Sequence, residues 1–485
     1  QISRMAHAEY FTDFTQEQRA RLAGYEREES LAALVVEVEN LKIAWQFWMK
    51  NGDLEQLQKM IDGLWLLYEG QGWYQAMAEL TSELLDVLSM TPTSKEHVQQ
   101  EIMLRTSLAR SLLVIKGFTP EVEQTFKKAL ALSEEQGEIP QIFPVLRGLA
   151  SYYLLGGYFD KALQMGERIL DLAERRDDDS MRMHAYLLVG TSTGFISSLQ
   201  DGLAFLEKGI ALYNPHQQGL RRFQIGNNPG IVCHTASAIF LRSLGYPDQA
   251  VKRAEKAMEL ANSLKHPYTM IYALFHTALL NMWCGELERA HSQVLTLKEI
   301  TQEYEYPLWN VLATILFGAV QSRLGKTEEG LLILEEGIAA YLGHITPPVF
   351  WPFLTAIRAR AYGLAGKPGE GLTLLNELLQ AVSHEMMINQ FPDLALLKGE
   401  LIMDESPANA IEAARLFKEI LAAAELAGNK MLALQAATSL CKLQMQDGKA
   451  EEEASVLSRV YNSFTEGFET IDLQEAKTLL DKLPN

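Results

Sequence analysis

Several short stretches of this 485-residue chain carry residue types that can do chemistry, and each falls short of the pattern the chemistry needs. Gly325-Lys326-Thr327 invites comparison with a phosphate-binding loop, but that loop needs a glycine five residues ahead of its Gly-Lys, and Val320 stands there. His384-Glu385 is followed by Met386, Met387 and Ile388, so the second zinc ligand one helical turn on is missing. Asp177-Asp178-Asp179 lacks the alternating spacing and later glutamate of a calcium loop, and reads as a solvated turn with a helix N-cap. His234 reads as a hydrogen-bonded packing histidine rather than a base. Cys233, Cys284 and Cys441 are distant and odd in number, so they form no redox or metal pair and suit a reducing cytoplasm. The expectation is a chain with no catalytic residue, no metal and no cofactor.

The aromatic residues are more suggestive. Pro267-Tyr268, Pro307-Leu308-Trp309 and Pro348-Val349-Phe350-Trp351 each join a helix-starting proline to bulky rings. Tyr272, Phe275, Arg242, Phe353 and Arg360 fall where helical arrays turn toward their concave groove. Rings and arginines are favoured anchors for a bound peptide or partner, and tryptophans after a proline also seal joints between repeats. Both roles stay open at this point. A second candidate surface is the irregular stretch Tyr213 to Val232, with two prolines, three glycines and the polar residues Arg221, Arg222, Asn227 and Asn228.

The elements that must position these residues follow from a glycine period. Gly245, Gly285, Gly325 and Gly366 recur at intervals of 40, 40 and 41, and the register extends through Gly117, Gly157 and Ser197 on one side and Ala408 and Gly448 on the other. Seven residues before the nine anchors stand Arg110, Ala150, Gly190, Ala238, Ala278, Gly318, Ala359, Leu401 and Cys441; five after stand Val122, Ala162, Gly202, Ala250, Ala290, Gly330, Gly371, Ala413 and Glu453. Small residues at one point of each helix let the two backbones of a hairpin approach closely. The predicted fold is all-α, a right-handed superhelical solenoid of antiparallel helix pairs with a period of about 40, related to the tetratricopeptide pattern but longer than its 34.

This register divides the chain into N-terminal capping helices over 1–100, repeats over 101–212, a loop insertion over 213–232, and repeats with a C-terminal cap over 233–485. Four of seven tryptophans, Trp45, Trp48, Trp65 and Trp73, lie in the first segment, as an aromatic core or as a ligand cage. The charge of −19, from 43 basic and 62 acidic residues, argues against nucleic acid as a partner. The longest apolar run, Pro347 to Ile357, is short and proline-broken, so a soluble chain with no membrane span is expected. The chain starts at Gln1 without a basic-then-apolar leader, which reads as a fragment of something larger without a signal peptide.

Several stretches together resemble the C-terminal helical-repeat region of bacterial STAND-type signalling ATPases, proteins often fused to class III adenylate/guanylate cyclase or transcription-regulator domains. They are Arg4-Met-Ala-His-Ala-Glu-Tyr-Phe11, Glu39-Asn-Leu-Lys-Ile-Ala-Trp45 with Asn51-Gly-Asp53, Asn228-Pro-Gly-Ile-Val-Cys233, Leu244-Gly-Tyr-Pro-Asp-Gln-Ala250, Leu397-Lys-Gly-Glu-Leu401, and Phe464-Thr-Glu-Gly-Phe468 with Leu473-Gln-Glu-Ala-Lys477. The resemblance spans nearly the whole chain and departs at Asn228, where the family usually has aspartate. It implies a regulatory scaffold of an adjoining ATPase or effector, holding a protein or peptide partner or a neighbouring domain in its groove. The alternative is a small-molecule sensor whose ligand changes the curvature of the solenoid.

Overall fold

A computed structural model describes residues 2–22, 27–90, 94–137, 140–214, 228–344, 351–380, 383–384, 387–388, 392–446 and 451–482. Among them are 24 α-helices, one 3₁₀ turn and no strand. The N-terminal part contains α1 (Ile2–Leu22), α2 (Arg27–Val36), α3 (Val38–Asn51), α4 (Leu54–Gln71) and α5 (Tyr74–Ser89). Helix pairs follow as α6 (Lys95–Lys116) with α7 (Pro120–Glu135), α8 (Ile142–Leu155) with α9 (Phe159–Arg176), and α10 (Asp179–Ile196) with α11 (Leu199–Ala211). The next pairs are α12 (Pro229–Ser243) with α13 (Pro247–Leu264), α14 (Pro267–Cys284) with α15 (Leu287–Glu303), α16 (Pro307–Arg323) with α17 (Thr327–His344), and α18 (Trp351–Leu364) with α19 (Pro368–Leu379). The last are α20 (Pro392–Glu405) with α21 (Ala410–Leu426), joined by the 3₁₀ turn Pro407–Asn409, then α22 (Lys430–Gln446) with α23 (Glu451–Tyr461), and α24 (Ile471–Leu480).

Helix boundaries follow local chemistry. Side chains of Asp53, Ser94, Asp178, Ser198, Asn228 and His266 accept from backbone N–H groups of the first turn. Prolines open α7, α12, α13, α14, α16 and α19, where their missing N–H is no loss. The anchor glycines 117, 157, 245, 285, 325 and 366 all have positive φ, between 70° and 91°, so the glycine period records one left-handed turn per hairpin. Ser197 turns at φ −143° instead, Ala408 lies in the 3₁₀ turn, and Gly448 is outside the described residues.

The small-residue columns are where hairpin backbones touch. A Cβ on Gly190 would fall 2.9 Å from the Gly202 carbonyl oxygen, and one on Gly371 would fall 2.8 Å from that of Ala359. At Gly330 the added carbon would stand 2.5 Å from the Ser322 nitrogen and 2.6 Å from the Gly318 oxygen, and backbone cannot step aside. Gly330→Ala is therefore expected to prise α16 from α17 at a cost of ~1–3 kcal/mol. Amide exchange in these two helices should accelerate by about one to two decades.

The N-terminal tryptophans are braced within their own segment. Trp48 donates from Nε1 to Thr12 Oγ1 (2.9 Å), Trp65 to Thr81 Oγ1 (3.1 Å) and Trp45 to Glu83 (3.2 Å), tying α1, α3, α4 and α5 into one core. Trp73 is the exposed member.

The solenoid curls until its turns meet, and two seams hold it. At the first, Tyr74 at the start of α5 packs its ring against Tyr268 (6.1 Å between centroids) and Tyr306 (6.2 Å), and α6 lies against α16. The His266 ring there sits 3.2 Å from the Glu69 carbonyl oxygen. At the second, Arg242 donates to Asp472 (3.2 Å), the Gly467 N–H donates to Asp248 (3.1 Å), and Gln249 donates twice to the Glu466 carboxylate, each at 3.0 Å. Gly285 meets Ile471 so closely that a Cβ would fall 2.5 Å from its terminal methyl. The result is a closed superhelix rather than an open horseshoe.

Candidate functional site

Curling brings five first helices, α6, α8, α10, α12 and α14, around one pocket on the inner face, and Tyr74 from the first seam closes its end. Its empty space is about 710 Å³ counting the open mouth. Leu113, Val114, Leu154, Leu155, Leu187 and Val232 give it apolar walls, and Tyr268 and Tyr272 supply aromatic ones. Among the described residues two charged side chains line it, Arg110 and Arg147.

The arginines differ in one respect that matters. Arg110 forms an ion pair with the buried Glu69 carboxylate. Arg147, 2% exposed, donates from Nε to His184 Nδ1 (3.0 Å) and from Nη1 to Ser151 Oγ, and Nη2 has no hydrogen-bond partner among the described residues. Its two hydrogen-bond partners carry no negative charge. Burial, with the Arg110 charge close by, lowers the Arg147 pKa to about 10, so the guanidinium stays charged at neutral pH. Burial also drives the His184 pKa well below the ordinary histidine value, with Arg147 adding to it; the ring is neutral and accepts at Nδ1. Burial raises the phenols of Tyr74, Tyr268 and Tyr272, and the Cys233 thiol to about 12, so none of them ionises near neutrality. Nothing in this arrangement pairs a nucleophile with a base; what it offers is an apolar chamber with a fixed positive group in its wall.

The sequence-derived candidates distribute as follows. Tyr268 and Tyr272 line the pocket, while Phe275 and Trp309 pack behind them, and all four are at most 7% exposed. Trp309 sits edge-on to Tyr268, Tyr272 and Phe275 at 6.0, 6.3 and 5.6 Å. Arg242 is committed to the second seam, with its guanidinium also over Trp283. On α18, Trp351 is half-buried and stacks on Tyr341, Phe353 meets Trp283 edge-on, and Arg360 pairs with Glu400 of α20. Asn228 caps α12 by accepting from the Ile231 N–H (3.2 Å), and its amide donates to the Tyr213 hydroxyl (3.0 Å), a bond an aspartate carboxylate could not donate. Arg221, Arg222 and Asn227 lie outside the described residues.

The other motif candidates are local structure. Gly325 is a left-handed turn, Asp178 caps α10, Arg182 pairs with Asp177 and Asp179, and His384 pairs with Glu419. His234 is half-buried, with its pKa lowered to about 4 by burial and no hydrogen-bond partner at Nδ1. Among the described residues no group of three or more His, Cys, Asp or Glu side chains could hold a metal, and no helix is long and apolar enough to cross a membrane.

Sequence reasoning passed over Arg147, Arg110 and Tyr74 as site residues. Two signals were present. Arg147 is the single charge in the otherwise apolar helix Ile142–Leu155, and Arg110 breaks the small-residue column at its first position.

No family model matches the chain, and no curated protein matches it by sequence. Solved structures do. A Rap protein crystallised with competence and sporulation factor superposes with a TM-score of 0.51 at 13% identity, covering 82% of this chain and 99% of that one. The Rap conjugation gene regulator of plasmid pLS20, in complex with the Phr* peptide, reaches 0.42 at 14% identity over 90% and 98%. A STAND protein with a tetratricopeptide repeat sensor from Pyrococcus horikoshii reaches 0.42 at 12% identity over 93% and 71%. At these identities the first likeness speaks for the fold alone, a tetratricopeptide-like helical solenoid.

Proposed function

We propose that the chain is a non-catalytic regulatory scaffold that holds a ligand inside its superhelix and passes occupancy, as a change of curvature, to a partner protein or neighbouring domain. The observation that carries this reading is the pocket walled by five consecutive first helices. A ligand there touches every repeat from α6 to α14, and so favours one curvature over another by its differential contacts. A ligand of small size fits better than an extended peptide, because the aromatic row that would grip a peptide, Tyr268, Tyr272, Phe275 and Trp309, is itself buried. The sequence resemblance supports a STAND-type ATPase, with its cyclase or regulator domains, as the neighbour that reads the curvature. A protein partner on the later repeats is supported separately by half-buried Trp351 and Phe353, which share α18 with Arg360.

Titration with the neutral fluorophore N-phenyl-1-naphthylamine tests the ligand-holding part. The expected result is one saturable site per chain, with energy transfer from Trp309, which packs against the pocket wall at Tyr268. No saturable binding at micromolar to millimolar probe would overturn the reading.

A further inference from the structure

The pocket has a charge imbalance that its own side chains do not correct. Arg110 is balanced by Glu69, whereas the carboxylates of the described residues leave Arg147 unpaired. A buried unpaired charge is costly, so a cation held in an apolar wall by a neutral imidazole and a hydroxyl is a site awaiting an opposite charge. Resting on the ligand-holding function proposed above, we infer that the pocket binds an amphipathic monoanion, a single carboxylate on an apolar or aromatic body, with the carboxylate on Arg147 and the body against Tyr268, Tyr272 and Leu187.

Each part of that class has its own support. Among the described residues, Arg110, Arg147 and Glu69 carry a net charge of one positive, which one negative charge neutralises and two overcompensate. A planar guanidinium with a free Nη2 presents the donor fork that carboxylates accept. Of the fourteen described lining residues, seven are aliphatic Leu, Val or Pro and three are tyrosines, which offers a polyhydroxylated ligand few partners among them. His184 is a positioning residue: accepting from Nε, it fixes the plane of the guanidinium and with it the direction of Nη2.

The test compares 1-naphthylacetate with 1-naphthylacetamide, which share a shape and differ in charge, as competitors of the neutral fluorophore at pH 7.5. The wild-type chain is expected to bind the acid at least about tenfold tighter than the amide. Arg147→Gln should bring the two within about twofold while the neutral fluorophore still binds. Arg147→Lys, which keeps the charge but not the fork, should retain part of the preference. An acid-to-amide ratio near one in the wild type, or a preference that survives Arg147→Gln, overturns the assignment and leaves the ligand-holding reading standing. Should Arg147→Gln fail to fold, the wild-type ratio and the lysine variant still decide. Tighter binding of 1-naphthyl phosphate than of the acid by tenfold rejects the monoanion class. Failure of the neutral fluorophore itself to bind removes the ligand-holding reading and this inference together.

Discussion

Trp309→Ala is expected to cost ~3–5 kcal/mol, the range for emptying a buried large aromatic site. The indole is 5% exposed and enclosed by Tyr268, Tyr272 and Phe275. Its loss also loosens Tyr268, one ring of the triangle with Tyr74 and Tyr306 that closes the first seam. The damage should therefore be non-local: amide exchange accelerates in α5 and α14 together, and the neutral fluorophore no longer saturates. Urea denaturation followed by far-ultraviolet circular dichroism measures the stability term. A loss below ~1 kcal/mol would mean that the indole is not a packing element, and would return the aromatic row to the role of an open peptide-binding groove.

What the sequence made legible is what is repeated along it. A left-handed turn is possible at low cost only with glycine, so Gly245, Gly285, Gly325 and Gly366 mark hairpins directly. Close approach of two helix backbones demands small residues at fixed offsets, so Gly190 with Gly202 and Gly318 with Gly330 name their own contacts. The resemblance likewise quoted real contacts without pairing them. His7 of the first stretch lies 3.3 Å from Asn40 of the second, and Glu466-Gly467 near the end bonds to Asp248-Gln249 of the repeat turn.

The seams themselves were illegible. Arg242 and Asp472 are 230 residues apart, and no period links them. How many repeats complete one superhelical turn depends on small rotations at every joint, and those rotations decide which residues meet. The pocket inherits this difficulty, since Tyr74 joins Arg147 and Tyr268 only after the turn has closed. The aromatic row was found by its spacing, yet whether it faces solvent or the next turn is set by the same closure.

Closure is thus the central claim, and the Arg242–Asp472 pair tests it most directly. Both side chains are mostly buried, 14% and 18% exposed, and Asp472 also accepts from Gln435 (2.8 Å). Asp472→Ala leaves the guanidinium with the Trp283 carbonyl and its ring face, and an Nε that already lacks a partner. Removing one member of a buried pair costs ~3–5 kcal/mol, and the residual exposure reduces that to about 2–4 kcal/mol here. The decisive measurement is the double-mutant cycle with Arg242→Met, read by urea denaturation and by amide exchange in α12 and α24. A closed superhelix predicts a coupling energy above ~1 kcal/mol, with the two helices deprotected together in either single variant. Additivity within ~0.3–0.5 kcal/mol, with α12 unaffected by Asp472→Ala, would contradict it and leave the chain an open solenoid.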